Sequence, residues 1–335
     1  MVSSALDIRR VSYLSLVLLI VGCIAQPPQA MITLHVVNQD GKPVADTEIM
    51  ASFWQGKQEI TKCPDENGYV TFSSPVIGDA VFGYNPEGFK KYYVTYMQYL
   101  YHTPSKNAKD GKWQPWNPIV EFVLCERINP IPMYANGRQD DKRFPDRNVW
   151  CGFDMVENDW VYPYGKGHHA DIEVVLLWDG KILNEYTGAT LKLRFPDAEA
   201  GYYAFHYEPR KMYDDARFKS PYHANPSKTY VNEMVLVEQR NPKTGRWEGA
   251  RFPEGTGYVF RTRTRFDADG HLIGAHYGKI YQPHSTVFRP MCEAAYLRLP
   301  FYLNPTENDT NLEFDSEHNL LKRNPLKGPF GPFEP

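Results

Sequence analysis

Residues 32–54, ITLHVVNQDGKPVADTEIMASFW, decide the fold class. Ile32, Leu34 and Val36 alternate with their neighbours at the period of two expected of a strand with one buried face. Asn38-Gln39-Asp40-Gly41-Lys42-Pro43 then gathers residues that tolerate positive φ or fix a turn, with Asp-Gly at its heart. Residues 44–54 resume the apolar, β-branched and aromatic character of a second strand.

The same grammar recurs outward from this hairpin. Asp65-Glu66-Asn67-Gly68 is a turn followed by a strand at 69–72, and residues 80–84, 91–97 and 119–124 complete about seven strands. The stretch 102–118, rich in Lys, Trp and Pro, reads as a long loop before the last of them. Residues 127–147, RINPIPMYANGRQDDKRFPDR, are Pro-rich and irregular and read as a connection between domains. Beyond them, residues 171–186 are two strands about Asp179-Gly180. A second hairpin turns at residues 241–245 and a third at Asp267-Ala268-Asp269-Gly270. Residues 293–303 form a last strand, followed by an irregular tail. The sequence thus predicts an all-β chain: a small sandwich over 31–127, a linker over 128–148 and a larger antiparallel sandwich over 149–335.

Composition agrees and excludes some functions. With 24 Gly and 27 Pro the chain has the turn residues that many short strands require. Its formal net charge of −3, without a basic cluster, argues against a nucleic-acid partner.

The first thirty residues read as an address. Arg9 and Arg10 precede an apolar run over residues 11–21, far short of the roughly 20 residues a membrane span needs, so the run is a signal-peptide core. Ile20-Val21-Gly22-Cys23 resembles the bacterial lipobox, with Ile20 where Leu is usual. The resemblance implies lipid on Cys23, cleavage before it, and an outer-membrane address in a diderm cell because Ile24 is not Asp. The alternative is ordinary cleavage after Ala25, which would leave a periplasmic or secreted protein. Four further cysteines fall two and two between the expected domains, so Cys63–Cys125 and Cys151–Cys292 are the simplest disulfides, against buried thiols.

VVNQDGKPVADTEIMASF (residues 36–53) with CPDENGYVTF (residues 63–72) resembles the carboxypeptidase regulatory-like domain, a transthyretin-like β-sandwich. The likeness covers about 95 residues and implies an accessory, adhesive or spacer module without catalytic residues. The blocks NPIPMYA, FDMVENDWVYPYGKG, AHYGKIY and FYLNPTENDTNLEFD are similar to those of a group of bacterial exported lipoproteins, which brings no activity with it.

Candidate chemistry is sparse. Asp154, Glu157 and Asp159 are close in sequence, as paired carboxylates for glycoside hydrolysis would be. Trp160, Tyr162 and Tyr164 beside them suit a sugar-stacking platform or an aromatic core corner. His169 and Asp171 share a strand face and have metal-ligand chemistry, with His206, His276 and His284 as conceivable partners. Asp267-x-Asp269-Gly270 opens like a calcium loop, but its twelfth position is Gly278, so it reads as a hairpin turn. Arg261, Arg263 and Arg265 alternate along one strand and are expected on one face, solvated or lining an anionic groove. No cofactor motif is present. The reading is a non-catalytic envelope lipoprotein with a binding or structural role, its partners a membrane and a glycan or envelope protein. The alternative is a secreted carbohydrate-binding or carbohydrate-active protein.

Overall fold

The computed structural model describes residues 27–332 except 54–57, 76–77, 85, 94–96, 102–106, 137–140, 179–187, 208–217, 219, 250–251, 254, 281–287, 292–293, 322–326 and 329–330. The leader with Cys23, the Asp179-Gly180 turn, His284 and Cys292 lie outside the described residues.

The chain is all-β apart from one short helix. The first unit comprises β1 (Gln29–Asn38), β2 (Ile49–Phe53), β3 (Gln58–Lys62), β4 (Tyr69–Pro75), β5 (Gly78–Tyr84), β6 (Met97–Tyr101) and β7 (Ile119–Leu124). β1 runs between antiparallel β4 and parallel β7. A second sheet has the order β3-β2-β5-β6. Ile32, Leu34, Val36, Phe72 and Phe122 from the first sheet meet Ile49, Ala51, Phe53 and Phe82 from the second in one core. The two turns read from sequence are built by one device: the Asn38 side-chain Oδ1 accepts the N–H of Asp40 and Lys42, and the Asp65 carboxylate accepts those of Asn67 and Tyr69. Gly68, at φ +80°, also packs so close that a Cβ there would lie 2.4 Å from the Val36 carbonyl oxygen.

Two local expectations are corrected. Residues 91–97 are not one strand; Pro86–Lys91 is a helix, α1, and the strand begins at Met97. Pro at the first helical position lacks the N–H that would be left unpaired there, and Lys90 and Lys91 in the last turn suit the helix dipole. The expected 102–118 loop contains a small ladder, Ala108–Lys109 with Lys112–Trp113, that buries Trp113 in the core.

The second unit comprises β8 (Ile131–Asn136), β9 (Cys151–Asp154), β10 (Asp159–Trp160), β11 (Ile172–Trp178), β12 (Gly188–Arg194), β13 (Gly201–His206), β14 (Glu233–Arg240), β15 (Trp247–Gly249), β16 (Thr256–Phe266), β17 (Leu272–Ile280), β18 (Phe301–Leu303) and β19 (Phe314–Asn319). Its two six-stranded sheets have the orders β13-β16-β17-β18-β8-β19 and β10-β9-β11-β12-β14-β15, and a small ladder joins Lys142–Arg143, Ala294–Leu297 and Phe288–Met291. The two large sheets pack through Phe153, Val174, Leu176, Leu191 and Leu193 on one side and Phe260, Ile280, Phe301 and Leu303 on the other. The expected pairings across 241–245 and 267–270 occur, the latter, β16–β17, in the facing sheet; β11 pairs with Gly188–Arg194, beyond the expected partner at 181–186, which lies outside the described residues.

The 128–148 linker does not exist as such. Residues 131–136 form β8, inside the sheet between β18 and β19, with Met133 and Ala135 buried. Pro132 falls where the β8–β19 register shifts, so its missing N–H interrupts no regular ladder. The tail beyond Asn304 likewise supplies an edge strand, β19. Every described strand pairing lies within residues 29–124 or within 131–332, yet the seam between the units is buried. Phe218 stacks on Tyr93 and on Tyr222, and the Tyr93 hydroxyl donates to the Glu313 carboxylate at 2.8 Å. The expected disulfides are not formed: Cys63, Cys125 and Cys151 are thiols. Cys63 is exposed just after edge strand β3, whereas Cys125 is buried after β7 in the opposite sheet.

Candidate functional site

The structure draws residues from three separate sequence candidates into one ionic cluster. β16 carries a bulge between Thr262 and Arg265, with Arg263 in the left-handed region at φ +51°. This turns the Arg263 side chain toward the other sheet. Its guanidinium donates from Nε and Nη2 to the two Asp171 oxygens at 2.8 and 2.9 Å, and from Nη2 to Asp154 at 2.9 Å. Its backbone N–H donates to Asp197, whose carboxylate also meets His169 Nε2 at 3.2 Å. Thr262 adds a hydroxyl to Asp171 at 3.1 Å.

Asp154 and Asp171 are almost wholly buried, at 2% and 0% exposure. Burial by itself raises the Asp154 pKa; the N–H groups of His168, His169 and Glu157, with Arg263, outweigh it and hold the carboxyl below its ordinary value. Burial disfavours the charged Arg263 too, and the two aspartates overcome it. The hydrogen bond that the His169 imidazole donates to the Asp197 carboxylate raises the His169 pKa despite desolvation.

The cluster holds a loop. Asp154 accepts the N–H of Val156 and Glu157 on one oxygen and of His168 and His169 on the other, closing residues 154–169 into a ring. Within it Asp159 accepts the N–H of Trp160 and Lys166. Tyr162 N–H donates to the Gly167 carbonyl, and Gly167 N–H to the Trp160 carbonyl. Gly165 is required here, since a Cβ would lie 2.4 Å from the Trp160 carbonyl oxygen. On this scaffold Tyr162 and Tyr164 point outward, 82% and 42% exposed. Trp160 does not join them. It is buried against Phe153 and Phe144 and donates its indole N–H to the Arg143 carbonyl.

The other candidates separate. Asp154 is saturated by donors, so the paired-carboxylate reading loses its first member. The expected single Arg face is overturned, because the bulge sends three side chains to three places. Arg261 is buried, donates to the Glu199 carbonyl and lies over the Tyr230 ring; Arg265 makes a bidentate pair with Glu307. His169 does not meet the expected histidines: His206 is bonded to Thr256 and His276 to the Asn304 carbonyl. Asp267, Asp269 and His271 bring ligand atoms within 4.8 Å on an exposed turn, but Asp267 accepts the N–H of Asp269 and His271, as the hairpin reading requires. Sequence reasoning missed Asp197, which lies in a Pro-Asp loop without periodic signal.

No family model matches the chain, and no curated protein matches it. Among solved structures it is similar to a DUF3823 family protein from Parabacteroides merdae ATCC 43184, at 8% identity over 82% of this chain and 98% of that one, TM-score 0.20. A candidate carbohydrate-binding protein from Bacteroides uniformis ATCC 8492 matches at 10% identity over 82% and 98%, TM-score 0.20. BcpA, the major pilin subunit of Bacillus cereus, matches at 12% identity over 85% and 99%, TM-score 0.22. At these TM-scores the backbones do not superpose as one fold.

Proposed function

We propose that this chain is a non-catalytic exported binding protein, held at the cell envelope by lipid on Cys23, that presents the loop over residues 161–167 to carbohydrate. One observation carries the reading: two exposed tyrosines stand on a backbone pinned by buried carboxylates. A large amphipathic ring held in place loses little freedom on binding, which favours affinity. The saturation of Asp154 supports a binding role over hydrolysis. In this reading the first sandwich is the spacer that its resemblance implies.

A glycan array probed with the purified chain from residue 24 onward tests the ligand class. Tyr162→Ala and Tyr164→Ala are each expected to weaken binding about tenfold, or about 1.4 kcal/mol, without changing the melting temperature. An array on which no glycan binds, or tyrosine variants that bind as the parent does, would sink the proposal. Separately, Cys23→Ala is expected to release the protein from the membrane fraction; a soluble parent protein would refute the anchor alone.

A further inference from the structure

Among the described residues, the outer face of the β10-β9-β11-β12-β14-β15 sheet is open over part of its extent. Leu177, Val235 and Val237 are 38%, 49% and 42% exposed. Register places Leu177, Thr190 and Val237 in one row across β11, β12 and β14. With Asn148 and Gln239 they line a hollow of about 400 Å³, within the range of small-ligand sites. Its floor is aliphatic, and amides, a hydroxyl, Trp178 and the acidic residue Glu238 stand around it. That mixture matches a sugar ring, which has an apolar face and hydrogen-bonding hydroxyls around its edge.

The face continues toward the tyrosine loop. The next row is Val175, which is itself buried, Lys192 and the exposed Val235, and the one beyond it Glu173, Arg194 and Glu233. Trp150 lies on this face, with the Arg194 guanidinium 4.2 Å from its ring, and Arg194 is paired to Glu173 at 2.6 Å. Glu173 pairs with Gly152, where the missing side chain leaves room for Val161, the first residue of the loop. From the Glu173 row to the Leu177 row is four residues along β11, about 13 Å at ~3.3 Å per residue. The Glu173 and Val175 rows together carry two basic and two acidic side chains, so their charges balance and favour an uncharged occupant.

We infer that this face is an extended track for a neutral glycan chain, which stacks on Tyr162 and Tyr164 at one end and seats a sugar in the Leu177–Thr190–Val237 hollow at the other. The inference rests on the carbohydrate reading and extends it to a second contact and to the length of the ligand. The test takes the strongest neutral glycan from the array and titrates it at full length and as its disaccharide. Val237→Trp fills the hollow from an exposed position, and Gln239→Ala removes an amide without adding bulk.

The expected results are tighter binding of the long chain than of the disaccharide by tenfold or more, and loss of that gain in both variants. Melting curves that match the parent's confirm that the variants fold. If Tyr162→Ala weakens binding but Val237→Trp and Gln239→Ala do not, the track is wrong and the loop reading stands. Selection of acidic glycans alone would overturn the neutral commitment. An array with no bound glycan overturns both proposals.

Discussion

Arg263 is a long charged residue in a backbone conformation that side chains avoid, and it is held there by what it touches. Its guanidinium neutralises two aspartates that otherwise stand in the interior without a countercharge. Removing one partner of such a group strands the others, which costs about 3–5 kcal/mol. Arg263→Met is therefore expected to lower the urea midpoint by that equivalent and to broaden the Tyr162 and Tyr164 ring signals in NMR. A variant as stable as the parent would show that the aspartates are satisfied without it. His169 behaves differently, because its partner Asp197 raises its pKa in the folded state. The sign follows: its contribution is complete below the unfolded value of about 6.5 and fades as pH rises through the folded value. The Asp197 pKa is lowered, against its burial, by His169, so its share is lost only on acidification below the ordinary carboxylate range. His169→Gln should therefore cost stability at pH 5.5 and little at pH 8. Since the imidazole is more than a third exposed, solvent screening keeps the effect small. An equal loss at both pH values would contradict the ion pair.

Among the elements, the loop at 154–169 and the turn at 65–68 show how local chemistry sets a backbone. Gly165→Ala forces a Cβ onto the Trp160 carbonyl and must open the loop. The expected outcome is faster amide exchange at Lys166, Gly167 and His168 with the sandwich core unchanged. Unaltered exchange would mean that the loop is held by Asp154 alone. Gly68→Ala combines a positive φ with a backbone clash, and a loss above about 1 kcal/mol is expected, larger than a Gly-to-Ala change elsewhere in a turn. Equilibrium unfolding in urea reads it directly, and a neutral result would show that the turn relaxes.

At the scale of the whole molecule, the two units share no described strand pairing but share a small core. Val37, Tyr93, Val123 and Cys125 from the first unit enclose Phe218 from the second. Phe218→Ala removes the ring between Tyr93 and Tyr222, a truncation of the kind that costs about 3–5 kcal/mol in a core. If the seam couples the units, calorimetry should show the parent's single transition splitting into two in this variant. Two transitions in the parent would show that the seam carries little coupling energy.

The sequence by itself determined the all-β class, the turns at 38–42, 65–68 and 267–270, and the strand pairing across the last of these; the first two turns carry the chain from one sheet to the other. The class, the turns and that pairing depend on neighbours two to five residues apart, where alternation, Asx side chains and glycine act directly. It also brought Tyr162 and Tyr164 to notice. Only the tertiary structure decided that Trp160 belongs to the core, that β8 is an inner strand instead of a linker, and that Arg263 leaves its neighbours to join Asp154 and Asp171. Those two aspartates lie 109 and 92 residues away in sequence. One bulge residue moves every later side chain to the other face, and no period reports a bulge in advance. Nor does period tell whether an apolar face will be covered: Leu176 and Leu177 are alike in sequence, and the facing sheet lies against only one of them.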